Sequence, residues 1–147
     1  MEIKKRKNVL ITGPVTPDFI TRSIASHSAK QNIGAHSIFL GQVRSDVKDG
    51  GSVTAIEYSA YEEMAEETFY EIREAAFHKF NLICMHIYHS LGVVNSGEIS
   101  MFVFTSSQHR SDAIEACNYI VERIKKEVPV WGKEILNDNK HIWKENK

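Results

Sequence analysis

The feature that most limits the fold is a repeated change of hydrophobic period along the chain. From Glu62 to Phe80 the residues Ala65, Phe69, Ile72, Ala76 and Phe80 recur at intervals of three and four, while Glu63, Glu66, Glu67, Glu71 and Glu74 cover much of the remaining surface. That is the pattern of a helix buried along one stripe. Asp112 to Glu127 repeats it through Ala113, Cys117, Ile120 and Ile124, and Pro129 ends it. A shorter first helix is signalled at Thr16-Pro17-Asp18, which offers a cap, a proline at the first helical position and an acid in the first turn. Phe19, Ile20 and Ile24 are its apolar members.

The segments between these helices change character. Gly34 to Val43 reads as a largely buried strand centred on Ile38, Phe39 and Leu40. Val53 to Ala60 alternates and is expected to pair with it through a turn at Asp49-Gly50-Gly51. Ile83 to His89 and Glu98 to Thr105 form a second strand pair around Asn95-Ser96-Gly97. Hairpins alternating with helices predict an α+β chain with helices packed on a mostly antiparallel sheet. Residues 132–147 are expected to be an irregular tail. With no repeat and no linker, residues 1–147 read as one domain.

Composition then excludes several classes. Eighteen basic and nineteen acidic residues leave a net charge of −1, against the basic excess of a dedicated nucleic-acid binder. A local basic pocket for a small anion remains compatible with that balance. Cys84 and Cys117 form no CxxC pair and read as buried free thiols. Lys4 to Lys7 is a short basic run read as a solvated terminus, and Val9-Leu10-Ile11 is too short for a secretory core or a membrane span. The expectation is a soluble, cytoplasmic protein that binds neither membrane nor nucleic acid.

Three places can carry chemistry. Ser106-Ser107-Gln108-His109-Arg110 lies between a strand and a helix, where free N–H groups and a guanidinium attract an anion. The same segment also reads as an ordinary helix cap. In Lys125-Lys126 the helical angle separates the two side chains. Lys126 points away from the apolar stripe, whereas Lys125 stands at its border, where a partly desolvated amine becomes an acid/base or nucleophile candidate. Val128-Pro129-Val130-Trp131-Gly132-Lys133-Glu134 is a rigid exit carrying a large aromatic. His86 and His89 fall on opposite faces of a strand and so do not share a metal, and no metal site is expected. No P-loop, GxGxxG or nucleophile elbow is present.

These pieces together resemble a known family. Phe39-Leu40-Gly41-Gln42-Val43-Arg44, then Glu57-Tyr58-Ser59-Ala60-Tyr61-Glu62-Glu63-Met64-Ala65, are similar to the catalytic large subunits of molybdopterin synthase, the MoaE family. His86-Ile87-Tyr88-His89-Ser90-Leu91-Gly92, Ser106 to Arg110, and Lys125 four residues before Pro129-Val130-Trp131 continue the match, as do Lys133-Glu134. The resemblance runs from about Gly34 to Trp143 and is weak over residues 1–33. It implies an α/β hammerhead fold with additional antiparallel strands. It implies conversion of cyclic pyranopterin monophosphate (precursor Z) to molybdopterin by installing two dithiolene sulfurs, a step of molybdenum cofactor biosynthesis.

The resemblance also implies the partners. Sulfur arrives as a thiocarboxylate on the C-terminal Gly-Gly of a small ubiquitin-like subunit. The large subunit forms a homodimer within a heterotetramer, and sulfur transfer needs no cofactor. By position, Lys125 and Lys133 are the catalytic residues. Phe39, Gln42, Arg44, His109, Arg110, Gly132 and Glu134 bind substrate. Family members commonly carry lysine where this chain has Gly132, which leaves Lys133 either as the match to a second basic residue or as a replacement. Gly132 is also the one residue that favours a non-catalytic module holding a ubiquitin-like tail. A small phosphate-ligand enzyme without a protein partner is the third reading.

Overall fold

The computed structural model describes residues 8–48, 50–138 and 140–144; the Lys4 to Lys7 run and Asp49 of the expected turn lie outside them. In chain order the elements are β1 (Leu10–Thr12), α1 (Pro17–Ala25), β2 (Ala35–Gln42), β3 (Val47–Lys48), β4 (Gly51–Ala60), α2 (Glu62–Lys79), β5 (Cys84–Asn95), β6 (Ile99–Ser107), α3 (Arg110–Glu127), β7 (Val130–Leu136) and β8 (His141–Trp143). The main path of the sheet is β2-β6-β5-β4-β7-β8, with β1 on β5 and β3 on β4. All ladders are antiparallel except β1 on β5. The α+β expectation holds.

β5 joins two limbs of this sheet. Its first half pairs with β6 and its last residues, Gly92 to Asn95, pair with β4. Gly92 sits between them at φ +80°, a left-handed conformation that a side chain would strain, so the strand turns here without ending. The larger core lies between the β2-β6-β5 limb and two helices: Phe69, Ile72 and Ala76 of α2 meet Ile120, Val121 and Ile124 of α3 over Met85, Ile87 and Val103. On the other face α1 covers Phe102 and Phe104 through Phe19 and Ile20. A separate cluster of Val43, Val53, Ile56, Tyr58, Val94 and Leu136 belongs to the second limb.

Helix boundaries follow the local signals closely. Thr16 accepts the N–H of Phe19 and Pro17 opens α1. The four predicted strands form, and Gly97 at φ +88° closes the β5–β6 hairpin. Two expectations need correction, and one strand is new. Residues 34–43 and 53–60 do not pair with each other, because β3 turns back on β4 through Gly50 and leaves β2 to join β6. The expected irregular tail at 132–147 is not irregular where it is described, residues 139 and 145–147 lying outside the described residues: β7 and β8 extend the sheet beyond β4. Their period is hidden because the inward positions of β7 are held by Gly132 and Glu134, both buried. Residues 10–12 add an unexpected strand, anchored where Glu66 accepts the N–H groups of Val9 and Leu10 at 3.1 and 2.9 Å. Among the described residues no helix is long and apolar enough to cross a membrane.

Candidate functional site

A cleft of about 590 Å³ opens where the end of β2, the last turn of α3 and the β7–β8 pair converge. Phe39, Gln42 and Arg44 supply one wall, Lys125 the floor, and Glu134, Trp143 and Lys144 the other wall. The separation of the two lysines at the end of α3 is as the helical angle dictates: Lys126 is exposed and Lys125 half-buried. Burial holds the Lys125 ammonium below its usual range, and the charge of Lys144 lowers it further. Burial likewise lowers Lys144, with Arg44 and Lys48 pushing the same way against Glu134 and Asp46. Two amines with a weakened hold on their protons therefore share one cleft.

The charges around them are partly paired. Lys48 Nζ lies 2.6 Å from Glu134 Oε1, which satisfies a carboxylate otherwise buried in β7. Arg44 is exposed and sits 3.3 Å from Asp46. Beneath Lys125 a small cavity of about 30 Å³ is bounded by Tyr58, His89, Gly132 and Lys144. His89 is buried there, and desolvation drops its pKa to about 4, with Lys125 and Lys144 adding to the fall. His89 Nδ1 donates to the Ser90 carbonyl at 2.9 Å, which opposes that fall and places the hydrogen of the ring on Nδ1. Tyr58 crosses that ring edge-on and donates its hydroxyl to Ser100 Oγ at 3.1 Å.

Gly132 owes its identity to this packing. A Cβ built there meets Ile56 Cγ2 at 2.9 Å and Tyr58 Cε1 at 3.4 Å. Lys144 donates its backbone N–H to the Gly132 carbonyl at 2.8 Å, which carries the Lys144 side chain into the space beside Lys125. Lys133, one residue on, projects from the opposite face of β7. There it pairs with Glu57 at 3.2 Å and lies over the Trp143 ring at 5.9 Å. Trp131 is exposed and crosses Tyr61 edge-on at 4.9 Å.

The second predicted anion site stands apart from the cleft. His109 and Arg110 are exposed and line a shallower cavity of about 410 Å³ with Gly34, Ala35, Gln108 and Ser111. The start of α3 is satisfied by Ser107, whose Oγ donates to the His109 carbonyl and accepts the Ala113 N–H. His109 makes no side-chain cap. The single chain thus gathers Phe39, Gln42, Arg44, Lys125 and Glu134 in the main cleft and Gly132 in the small cavity beneath Lys125. It leaves Lys133, His109 and Arg110 elsewhere. Sequence reasoning missed Lys48, His89 and Lys144. The i,i+2 alternation of Ile142 and Lys144 was their one local trace, and it is too short to read.

The model described as MoaE protein matches residues 14–127. The chain belongs to the MoaE family. Its Thermoplasma volcanium relative, a molybdopterin synthase catalytic subunit, is 40% identical over 114 residues, covering 78% of this chain and 82% of the relative. The Pyrococcus abyssi protein of the same name is 36% identical over 134 residues, covering 91% and 88%. The longer Oryza sativa subsp. indica relative is 40% identical over 114 residues, and this chain spans 58% of its length. Among MoaE-like structures, molybdopterin synthase from Staphylococcus aureus superposes with a TM-score of 0.80 at 31% identity, covering 92% of this chain and 95% of that one. A complex of subunits 1 and 2 of molybdopterin-converting factor from Helicobacter pylori shares the fold at TM-score 0.78 and 22% identity. The matched span stops at Glu127, so Gly132, Glu134 and Lys144 lie beyond it.

Proposed function

We propose that this chain is the catalytic subunit of a molybdopterin synthase, transferring two sulfurs to cyclic pyranopterin monophosphate from the thiocarboxylated Gly-Gly tail of a small ubiquitin-like subunit. The observation that carries this reading is Lys125, half-buried beside Lys144 at the floor of a cleft in a MoaE-family chain. The thiocarboxylate sulfur displaces an oxygen from a pterin carbon, the C–O bond breaking and the oxygen leaving with a proton. Water then cuts the acyl–sulfur bond so formed, returning the carrier as a carboxylate and leaving the sulfur on the pterin. Both steps build negative charge on oxygen, at the departing oxygen in the first and at the acyl oxygen in the second. Fixed ammonium groups stabilise that charge, and an amine whose pKa is lowered gives up its proton more readily than an exposed lysine. Lys125 is the central group. Arg44, Gln42 and Phe39 hold the anionic pterin, and Glu134 on the facing wall fixes Lys48. Lys144 supplies the second amine, in the space that a side chain at position 132 is denied. Cytoplasmic residence fits this chemistry.

The partner in this reading is the small carrier subunit, and the two-subunit Helicobacter pylori complex supports it. A second copy of the chain accounts for His109 and Arg110. β2 is the outer strand of its limb, with Ile38 and Leu40 exposed beside it. The His109–Arg110 cavity abuts the start of β2 and the cleft abuts its end. An antiparallel, two-fold contact along β2 therefore brings His109 and Arg110 of one copy to the cleft of the other.

The test is anaerobic turnover with the thiocarboxylated carrier and cyclic pyranopterin monophosphate, the dithiolene product being read as its fluorescent oxidised derivative. Wild type gives product and folded Lys125→Ala gives little. No product from a wild type that binds the carrier overturns the enzymatic reading in favour of a docking module. Mixing Lys125→Ala with Arg110→Ala restores activity if each cleft draws on both copies; no recovery refutes the shared site.

A further inference from the structure

We propose a metal site of the zinc class at His27, Cys84 and His86, on the face of the sheet opposite α2 and α3 and independent of the sulfur-transfer reading. Cys84 and His86 alternate along β5 and so share a face, which the His86–His89 pair does not. His27 follows the end of α1 and is buried edge-on against Phe104, with ring centroids 4.9 Å apart. The two Nε2 atoms of His27 and His86 stand 3.0 Å apart, and with Cys84 Sγ the three donor atoms lie within 4.8 Å of one another. Around a tetrahedral zinc two imidazole nitrogens are ~3.4 Å apart, and a nitrogen and a thiolate ~3.6 Å. The nitrogens are close to that spacing, and an inward movement of Sγ by up to about 1.2 Å completes it.

The tautomers support the same reading. His27 Nδ1 lies 2.6 Å from the Ser23 carbonyl, which only accepts, so Nδ1 carries the hydrogen. In the neutral ring the His27 Nε2 lone pair then faces His86. A carbonyl holding the outer nitrogen is the usual support of a metal-bound imidazole. Lys30 Nζ donates to Cys84 Sγ at 2.8 Å and marks this sulfur as a site that attracts positive charge. Lys30 is exposed and can swing away.

On binding, two N–metal bonds and one S–metal bond form. The hydrogen between the imidazoles moves to the other nitrogen of His86, and the Cys84 S–H bond breaks, releasing one proton to solvent. Among the described residues the clustered donor atoms are those of His27, Cys84 and His86, which leaves the fourth position to water. Two imidazoles and a thiolate suit zinc and cobalt rather than magnesium or calcium. The ion ties the end of α1 to β5, a structural role.

The experiment uses the reduced, full-length protein. Zinc affinity is measured by competition with a chromophoric chelator, and Co(II) is added for its spectrum. One equivalent, a thiolate-to-cobalt charge-transfer band and a zinc-dependent rise in Tm are expected. Cys84→Ser removes the band and weakens zinc by about 100-fold or more. Lys30→Ala, at an exposed position that leaves the fold intact, tightens zinc several-fold by removing the competing ammonium. No stoichiometric binding overturns the proposal. So does binding without a thiolate band, which means that only surface imidazoles are involved.

Discussion

Replacing Gly132 by alanine tests how the floor of the cleft is built. The added methyl meets Ile56 Cγ2 at 2.9 Å and Tyr58 Cε1 at 3.4 Å. Both side chains are buried, Ile56 in a stiff β-branched form, so the strands must separate slightly. Overpacking of this kind costs about 1–3 kcal/mol. Gly132 is not among the glycines with positive φ, so alanine also gains about 0.4–1 kcal/mol by restricting the unfolded chain. The net is a loss of up to about 2.6 kcal/mol, or a fall in Tm of up to about 10 °C for a chain of this size. Ile56→Ala removes the obstructing methyl at its own cost of about 2–5 kcal/mol. The double variant is then less destabilised than the sum by about 0.5 kcal/mol or more. Thermal and urea unfolding of the four proteins measure this. Strict additivity in the double variant refutes the crowding and with it the reason for placing the second amine at Lys144.

Other outcomes follow from the charges. Lys144→Met keeps most of the stem and lowers sulfur transfer about 10²-fold or more if its ammonium acts in the transition state, whereas Lys133→Ala, outside the cleft, costs at least tenfold less; single-turnover rates decide between them. Both cleft lysines have pKa values lowered by folding, so each reduces stability below its folded pKa and ceases to do so as pH rises toward 10.5. Lys125→Met is therefore no less stable than wild type at pH 7, and its advantage shrinks as pH rises toward 10.5 in urea titrations. His89 acts in the acid range: folded at about 4 against 6.5 unfolded, it withdraws about 3 kcal/mol as pH falls through that window. His89→Gln flattens the loss, and an unchanged acid limb in the variant refutes the assignment.

The sequence by itself determined the elements whose signals are local. α1 was legible from its cap and proline, α2 and α3 from apolar stripes, and β6 from its turn and apolar run. The half-burial of Lys125 was legible for the same reason, since the angle between neighbours on a helix is fixed. The tertiary structure decided what depended on partners distant in sequence. β2 joined β6 instead of β4, because a two-residue strand closed the Gly50 turn first. β7 put a glycine and a carboxylate inward, and the ammonium of Lys48, 86 positions away, makes that carboxylate tolerable. Lys144 entered the cleft through a backbone bond to Gly132, and Cys84, His86 and His27 met across the sheet. Local pattern reports which face of an element is apolar. It does not report which other element will cover that face, and the chemistry of this cleft depends on that choice.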